Sequence, residues 1–278
     1  MKLYWMSEDS ILKQINQEYL IGWDAIETIR EQKRQDLKTF FDPTRDENKI
    51  QVRTVFQAFR MKMSIRYTNR SKVEWTRRRT WDTERAKNAN RAWKFDRKEM
   101  WLDKIDYQTF ENIDKIGVGI QMNWPFNLFT LCPTIKNVDP LTWIPDPQGW
   151  PTIEDHRWCG FTEVYLQKHQ MKKLGYANID KASPRTVTLN DSAKDDATGK
   201  TTVLEDDIPN KEFETYIHMF IREGKKYIAV TNESKTALHN LVYLKPVTEE
   251  EKEDESLVPF PVMLQYAIYV SGFPLGIS

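Results

Sequence analysis

Between residues 7 and 39 the apolar positions Leu12, Ile15, Tyr19, Trp23 and Ile26 recur every three or four residues. That period predicts one long amphipathic helix. Ser7 stands where an N-cap is needed, and Glu8 and Asp9 fall in the first turn, where the helix dipole favours negative charge. Gly22 interrupts the stripe at a cost of about 1 kcal/mol relative to alanine. Asp42-Pro43 ends it, because proline disfavours helix in the residue before it. In residues 50–70 the period changes. Met61, Met63, Ile65 and Tyr67 alternate with Lys62, Ser64 and Arg66, which predicts a short half-buried strand. Residues 82–116 predict a second long helix or a broken pair, with Trp93, Met100, Trp101, Ile105, Phe110, Ile113 and Ile116 as its apolar contacts. Gly117-Val118-Gly119 stops it, and Val118, Ile120 and Met122 open a strand.

Residues 123–152 hold Pro125, Pro133, Pro140, Pro145, Pro147 and Pro151. Prolines at that density predict an extended, turning path. Its aromatics, among them Trp124, Phe126 and Trp143, make it a loop packed on a core and not a free linker. Residues 160–174 read as a strand followed by a short helix. Residues 178–210 are polar and predict a mobile insertion. Phe213, Thr215, Ile217, Met219 and Ile221 alternate with more polar positions, Arg222-Glu223-Gly224-Lys225 turns, and Tyr227 to Thr231 returns, which is a hairpin. A third strand fits Leu241–Leu244, and Glu249–Glu255 reads as a solvated acidic loop. The fold class that follows is α+β, with N-terminal long helices packed with an antiparallel β-meander. The expected organisation is a helical segment over 1–49 and an α+β domain over 50–278 carrying the mobile insertion at about 178–210.

The chain has 278 residues, enough to bury a real core. Lys+Arg and Asp+Glu are 41 each, which argues against a global polycation coating nucleic acid. Ten tryptophans argue against a disordered chain. Cys132 and Cys159 are too few for a disulfide scaffold and predict a reducing compartment. The apolar stretch after Met1 turns acidic too soon for a secretory signal. The longest apolar run, Leu257 to Val270, is broken by Pro259, Pro261 and Gln265 and falls short of a bilayer span, so no membrane partner is expected. The apolar close at Gly276-Ile277-Ser278 leads us to expect part of a longer polypeptide.

No Gly-rich phosphate loop, nucleophile elbow or zinc-protease helix is present in the sequence, and no cofactor is expected. His156 and Cys159, with Asp155, lack the further convergent ligands a metal needs; the plainer reading is side chains at a loop–strand junction. Asp139, Asp146 and Asp155 could supply an acid/base pair only if two of them shared a cleft. Asp139-Pro140 and Asp146-Pro147 read more simply as turn formers. Charge is uneven along the chain. From Arg53 to Lys104 there are sixteen Lys/Arg against six Asp/Glu, and from Asp191 to Glu255 sixteen Asp/Glu against nine Lys/Arg. Solvated faces explain any single residue. Together the two halves also fit head-to-tail contact between identical subunits. A third reading sends the basic segment to a nucleic-acid backbone, with Trp75 and Trp81 beside it. Arg77, Arg78, Arg79, Arg85 and Arg91 are the candidate contacts to nucleic acid or to a neighbouring subunit.

Four pieces, in order, resemble the portal proteins of tailed bacteriophages. The first is the long basic-aromatic helix Lys87 to Lys115 running into Ile116-Gly117-Val118-Gly119-Ile120. The second is Asn137-Val138-Asp139-Pro140-Leu141-Thr142-Trp143-Ile144-Pro145-Asp146-Pro147. The third is Arg157 to Val164 followed by Leu166–Leu174. The fourth is the meander Phe213–Val230, with the closing Phe260-Pro261 and Phe273-Pro274-Leu275-Gly276-Ile277-Ser278. The resemblance implies a wing-like portion of a structural subunit with no active site. It further implies a dodecameric homo-oligomeric ring at the capsid vertex of a virion, through which double-stranded DNA passes during packaging and ejection. Its implied partners are the major capsid protein, the terminase that carries the ATPase, and tail connector proteins. The alternatives are a nucleic-acid-binding protein using residues 53–104 and a hydrolase with a site near 139–159.

Overall fold

The computed structural model describes residues 7–40, 60–65, 74–76, 79, 82–124, 134–149, 153–165, 167–186, 211–266, 269–270 and 273–274. The architecture is α+β with antiparallel sheets. The long helix α1 runs Glu8–Phe40, and Ser7 caps it by accepting from the Ser10 N–H at 3.3 Å. Residues 60–65 form a helical segment, α2, where alternation predicted a strand. Lys62 and Met63, adjacent in the chain, both engage the body of the protein, which neighbours on a strand cannot do from one face. Met63 is buried, and Lys62 pairs at 2.7 Å with the fully buried Asp114.

The second predicted helix is a broken pair, α3 (Thr83–Glu99) and α4 (Leu102–Ile116). Trp101 breaks it in a left-handed conformation, φ 53°, and points outward at 70% exposure, so it is not the core contact its type suggested. In the proline-rich stretch two segments expected to be irregular are strands, β2 (Thr134–Val138) and β3 (Trp143–Pro145). Both are short, and each is defined by pairing with a neighbouring strand rather than by a period of its own.

A three-stranded sheet runs β2-β1-β9, with β1 at Val118–Trp124 and β9 at Val262–Tyr266. A six-stranded sheet runs β3-β4-β6-β7-β8, with β4 at Trp158–Tyr165, β6 at Lys211–Arg222, β7 at Lys225–Asn232 and β8 at Leu238–Tyr243; β5 (Arg185–Thr186) pairs with β6. A small ladder joins β10 (Tyr269–Val270) to β11 (Phe273–Pro274). The β6–β7 turn puts Glu223 and Gly224 at φ 52° and 73°, as a two-residue hairpin with the sheet's twist requires. The predicted hairpin and third strand are therefore present. The acidic run is not a loop: Glu249–Glu253 is a short helix, α6, with a Thr248/Glu251 capping box. Between β4 and β5 lies the short helix α5 (Lys168–Lys173). Of the expected insertion, residues 187–210 lie outside the described residues, whereas 179–181 form a 3₁₀ turn.

Strand alternation sorts the core into two layers. Phe213, Ile217 and Met219 of β6, with Ile228 and Val230 of β7, pack against Val118, Ile120, Met122 and Val138 of the smaller sheet. Tyr216, Phe220, Tyr227 and Ala229 face the other way and meet Ile11 and Ile15 of α1, with Tyr19 and Trp23 packed alongside. On the far side of the smaller sheet, Gln121 bonds to Asp106 and Thr109 of α4. The layers are therefore α1, large sheet, small sheet, α4. Lys136 of β2 and Glu163 of β4 tie the sheets together at 3.1 Å. Gly22 is where α1 touches the sheet most closely: a Cβ there would lie 2.5 Å from Ile144 and 2.6 Å from Trp158.

Candidate functional site

Contacts along α3 hold it in place. Arg97 donates to Asp103 at 2.7 Å across the α3–α4 corner, and the Asn90 side chain bonds both the N–H and the carbonyl of Trp75, at 2.7 and 2.9 Å. The helix buries none of its seventeen residues. Six of them are Lys or Arg, against three acidic residues. Lys87, Arg91, Lys94 and Lys98 are spaced by four, three and four residues, so they line one face. All four are exposed, and they make no ion pair or side-chain hydrogen bond among the described residues. Like charges at these spacings repel by about 0.2–0.5 kcal/mol per pair. Phe95 lies beside the stripe at 61% exposure.

Of the arginines singled out from the sequence, Arg77 and Arg78 lie outside the described residues. Arg79 is exposed just before α3, and its carbonyl accepts from the Asp82 N–H at 2.9 Å. Arg85 and Arg91 are both exposed on α3 but six residues apart, about 120° around the helix from each other, so they do not share a face. Only Arg91 belongs to the basic stripe. Lys87, Lys94 and Lys98 were missed, although their spacing was legible once the helix was placed.

The proline-rich stretch uses its carboxylates for turns. Asp139 accepts the Leu141 N–H at 2.9 Å, and Asp146 accepts the Gln148 N–H at 3.0 Å; each is the self-closing turn expected of Asp before Pro. Asp146 also accepts from Arg157 through Nε at 2.8 Å, Nη2 at 3.0 Å and the backbone N–H at 3.2 Å. Burial pushes its carboxyl up. The hydrogen bonds from the Arg157 side chain and from the Gln148 and Arg157 N–H groups outweigh that and hold it below the usual carboxylate range. A carboxylate so engaged has no lone pair left for proton transfer. Cys159 is fully buried, and burial, aided by the charges of Asp146 and Glu18, pushes its thiol well above its ordinary value. Thiolate chemistry is disfavoured there. Among the described residues, no group of three or more His, Cys, Asp or Glu converges to hold a metal.

A buried polar chain escaped the sequence reading. Tyr216 Oη lies 2.9 Å from His218 Nδ1, and His218 Nε2 lies 2.5 Å from Glu18 of α1. The imidazole is sealed between Trp158 and Phe220, with ring centroids at 5.8 and 5.7 Å. Acid–base chains of this composition serve catalysis when they end on an accessible atom. This one ends on a buried phenol, raised well above its ordinary pKa by burial. Its oxygen sits over Gly160, where even a Cβ would lie 2.3 Å away, so no substrate atom fits. The chain fastens α1 to the sheet instead. The same seam carries Arg222 to Ser10 Oγ at 2.9 Å, Asn16 to the Lys235 carbonyl at 3.2 Å and Arg30 to the Trp143 carbonyl at 3.1 Å. A cavity of about 360 Å³ beside it is lined by Tyr19, Thr162, Glu214, Tyr216, Glu233 and Lys235. The Lys235 ammonium already sits 3.6 Å from the Tyr19 ring centre.

No helix among the described residues is long and apolar enough to cross a membrane. No protein-family model matches the sequence, and no curated protein matches it.

Proposed function

We propose that this chain is a structural subunit of a tailed-phage portal ring, contributing the wing region around a passage for double-stranded DNA. The observation that carries the reading is the path of residues 137–147. In the resemblance, this is the stretch in which an Asp-Pro turn follows a strand and the chain crosses the wing. Here β2 of the small sheet ends at Val138, the Asp139 turn redirects the chain, and β3 joins the large sheet. Asp146, clamped by Arg157, then closes β3. The segment passes between two packed sheets on two side-chain-closed turns, a mechanical role that needs no reactive group. The candidate hydrolase groups near 139–159 support the same view, because Asp146 is fully engaged and Cys159 is sealed. On this reading the subunit sits in the virion and meets the major capsid protein, the terminase and tail connector proteins.

Negative-stain imaging of the full chain is the direct test. Closed rings are the expected result; a monodisperse monomer at every concentration sinks the reading. The second reading, a nucleic-acid-binding protein, is favoured by the aligned cations of α3. It requires binding to duplex DNA that weakens steeply with salt, in proportion to the phosphates contacted.

A further inference from the structure

We infer that the basic stripe of α3 is a docking surface for the acidic segment Glu249–Leu257 of a second copy of this chain. The inference rests on the ring reading and deepens it by naming the two faces that meet. α3 buries none of its residues fully, and its four stripe cations repel one another with no partner among the described residues. Helices of this length are marginal in water without a packed face. A complementary surface therefore stabilises α3 more than it would an ordinary helix.

The same chain carries the complement. The run 249–255 holds six acidic residues against one lysine. Glu250 and Glu253 are exposed and make no side-chain contact among the described residues. Apolar side chains flank the acids, with Val247 at 82% and Leu257 at 56% exposure, just as Phe95 flanks the cations. Those apolar flanks favour a protein partner, since a phosphate backbone offers nothing to bury them. A chain of zero net charge also repels a polyanion with its own acidic face. Within one copy, α3 packs on α4, whereas the Glu255–Leu257 turn packs on β7. Two different faces meeting between copies make a head-to-tail contact, the kind that closes into rings.

The test is complementation in trans. One variant reverses the stripe (Lys87→Glu, Arg91→Glu, Lys94→Glu, Lys98→Glu), and another reverses the acids (Glu250→Lys, Glu253→Lys). All six positions are exposed, and Glu and Lys have similar helix propensity, so the fold should persist. Assembly is read by sedimentation as the concentration of half-association. Each variant alone should raise it by about tenfold or more, and an equimolar mixture should restore it, because each variant then presents the complement of the other. Rescue also reports folding, since only folded chains can complement. Loss in both variants without rescue overturns the pairing. Wild-type assembly untouched by either reversal overturns the inference and leaves the ring reading standing. A wild-type monomer at all concentrations ends both. Unchanged assembly with lost binding to duplex DNA in the stripe variant makes nucleic acid the occupant.

Discussion

Replacing Gly22 with alanine sets two effects against each other. Local helix propensity says the change stabilises α1 by about 1 kcal/mol. The packing says otherwise. The new methyl would lie 2.5 Å from Ile144 Cγ2 and 2.6 and 2.9 Å from two Trp158 ring carbons, where about 3.5–4.0 Å is needed. Neither neighbour can yield: Ile144 is fully buried, and Trp158 is held in its stack with His218. Helix α1 must lift, and Glu18, one turn earlier, then loses its 2.5 Å contact with His218. Overpacking of this kind costs about 1–3 kcal/mol. With both blocking groups fixed, the cost falls in the upper part of that range, for a net loss of about 1–2 kcal/mol. For a chain of this size that lowers the melting midpoint by about 2–8 °C. The assay is thermal unfolding followed by circular dichroism, with Ala25→Gly as control. Ala25 is exposed on the same helix, so that change reports propensity alone and should also lower the midpoint. A Gly22→Ala protein as stable as wild type or more so would refute the close-packed seam.

Asp146→Asn should cost about 1–2 kcal/mol at neutral pH, less than for a fully buried pair because the Arg157 side chain is 59% exposed. The Asp146 pKa is depressed in the folded protein. Its contribution is therefore complete above the unfolded value of about 4 and fades as pH falls through the folded value, so the wild-type advantage in urea midpoint should shrink only in acid. Glu18→Ala leaves His218 Nε2 buried without its partner and should cost about 1–3 kcal/mol, with faster protease cleavage within α1; an unchanged cleavage rate counts against the fastening role. Arg30→Met removes the Nη2 bond to the Trp143 carbonyl and the cation packed 4.0 Å over the Trp23 ring, and in return relieves a buried guanidinium whose Nε and Nη1 have no hydrogen-bond partner; the two should offset to within about 1 kcal/mol in urea unfolding, and a loss of several kcal/mol would contradict that balance. Cys159 should resist alkylation in the native protein and react after denaturation, as peptide mass mapping would show; ready labelling of the folded chain would contradict its burial.

What the sequence determined by itself is what local pattern encodes. The period of α1, the Glu223-Gly224 hairpin, the stop at Gly117 and the two Asp-Pro turns each depend on residues within a few positions, and each is found where the pattern placed it. The tertiary structure decided whatever needed a partner outside the segment itself. Strands β2 and β3 exist because β1 and β4 pair with them, and no period survives in stretches of five and three residues. The 60–65 segment is a helix because Asp114 pulls Lys62 to the side that Met63 already occupies. Gly22 looked like a blemish in a helix and is the point where that helix meets a sheet. The Glu18–His218 contact spans two hundred residues, and only the stacking of α1 on the sheet brings the two together. Short-range patterning fixes backbone conformation, whereas the choice of buried polar partners is made by layers packing, which no window along the chain contains.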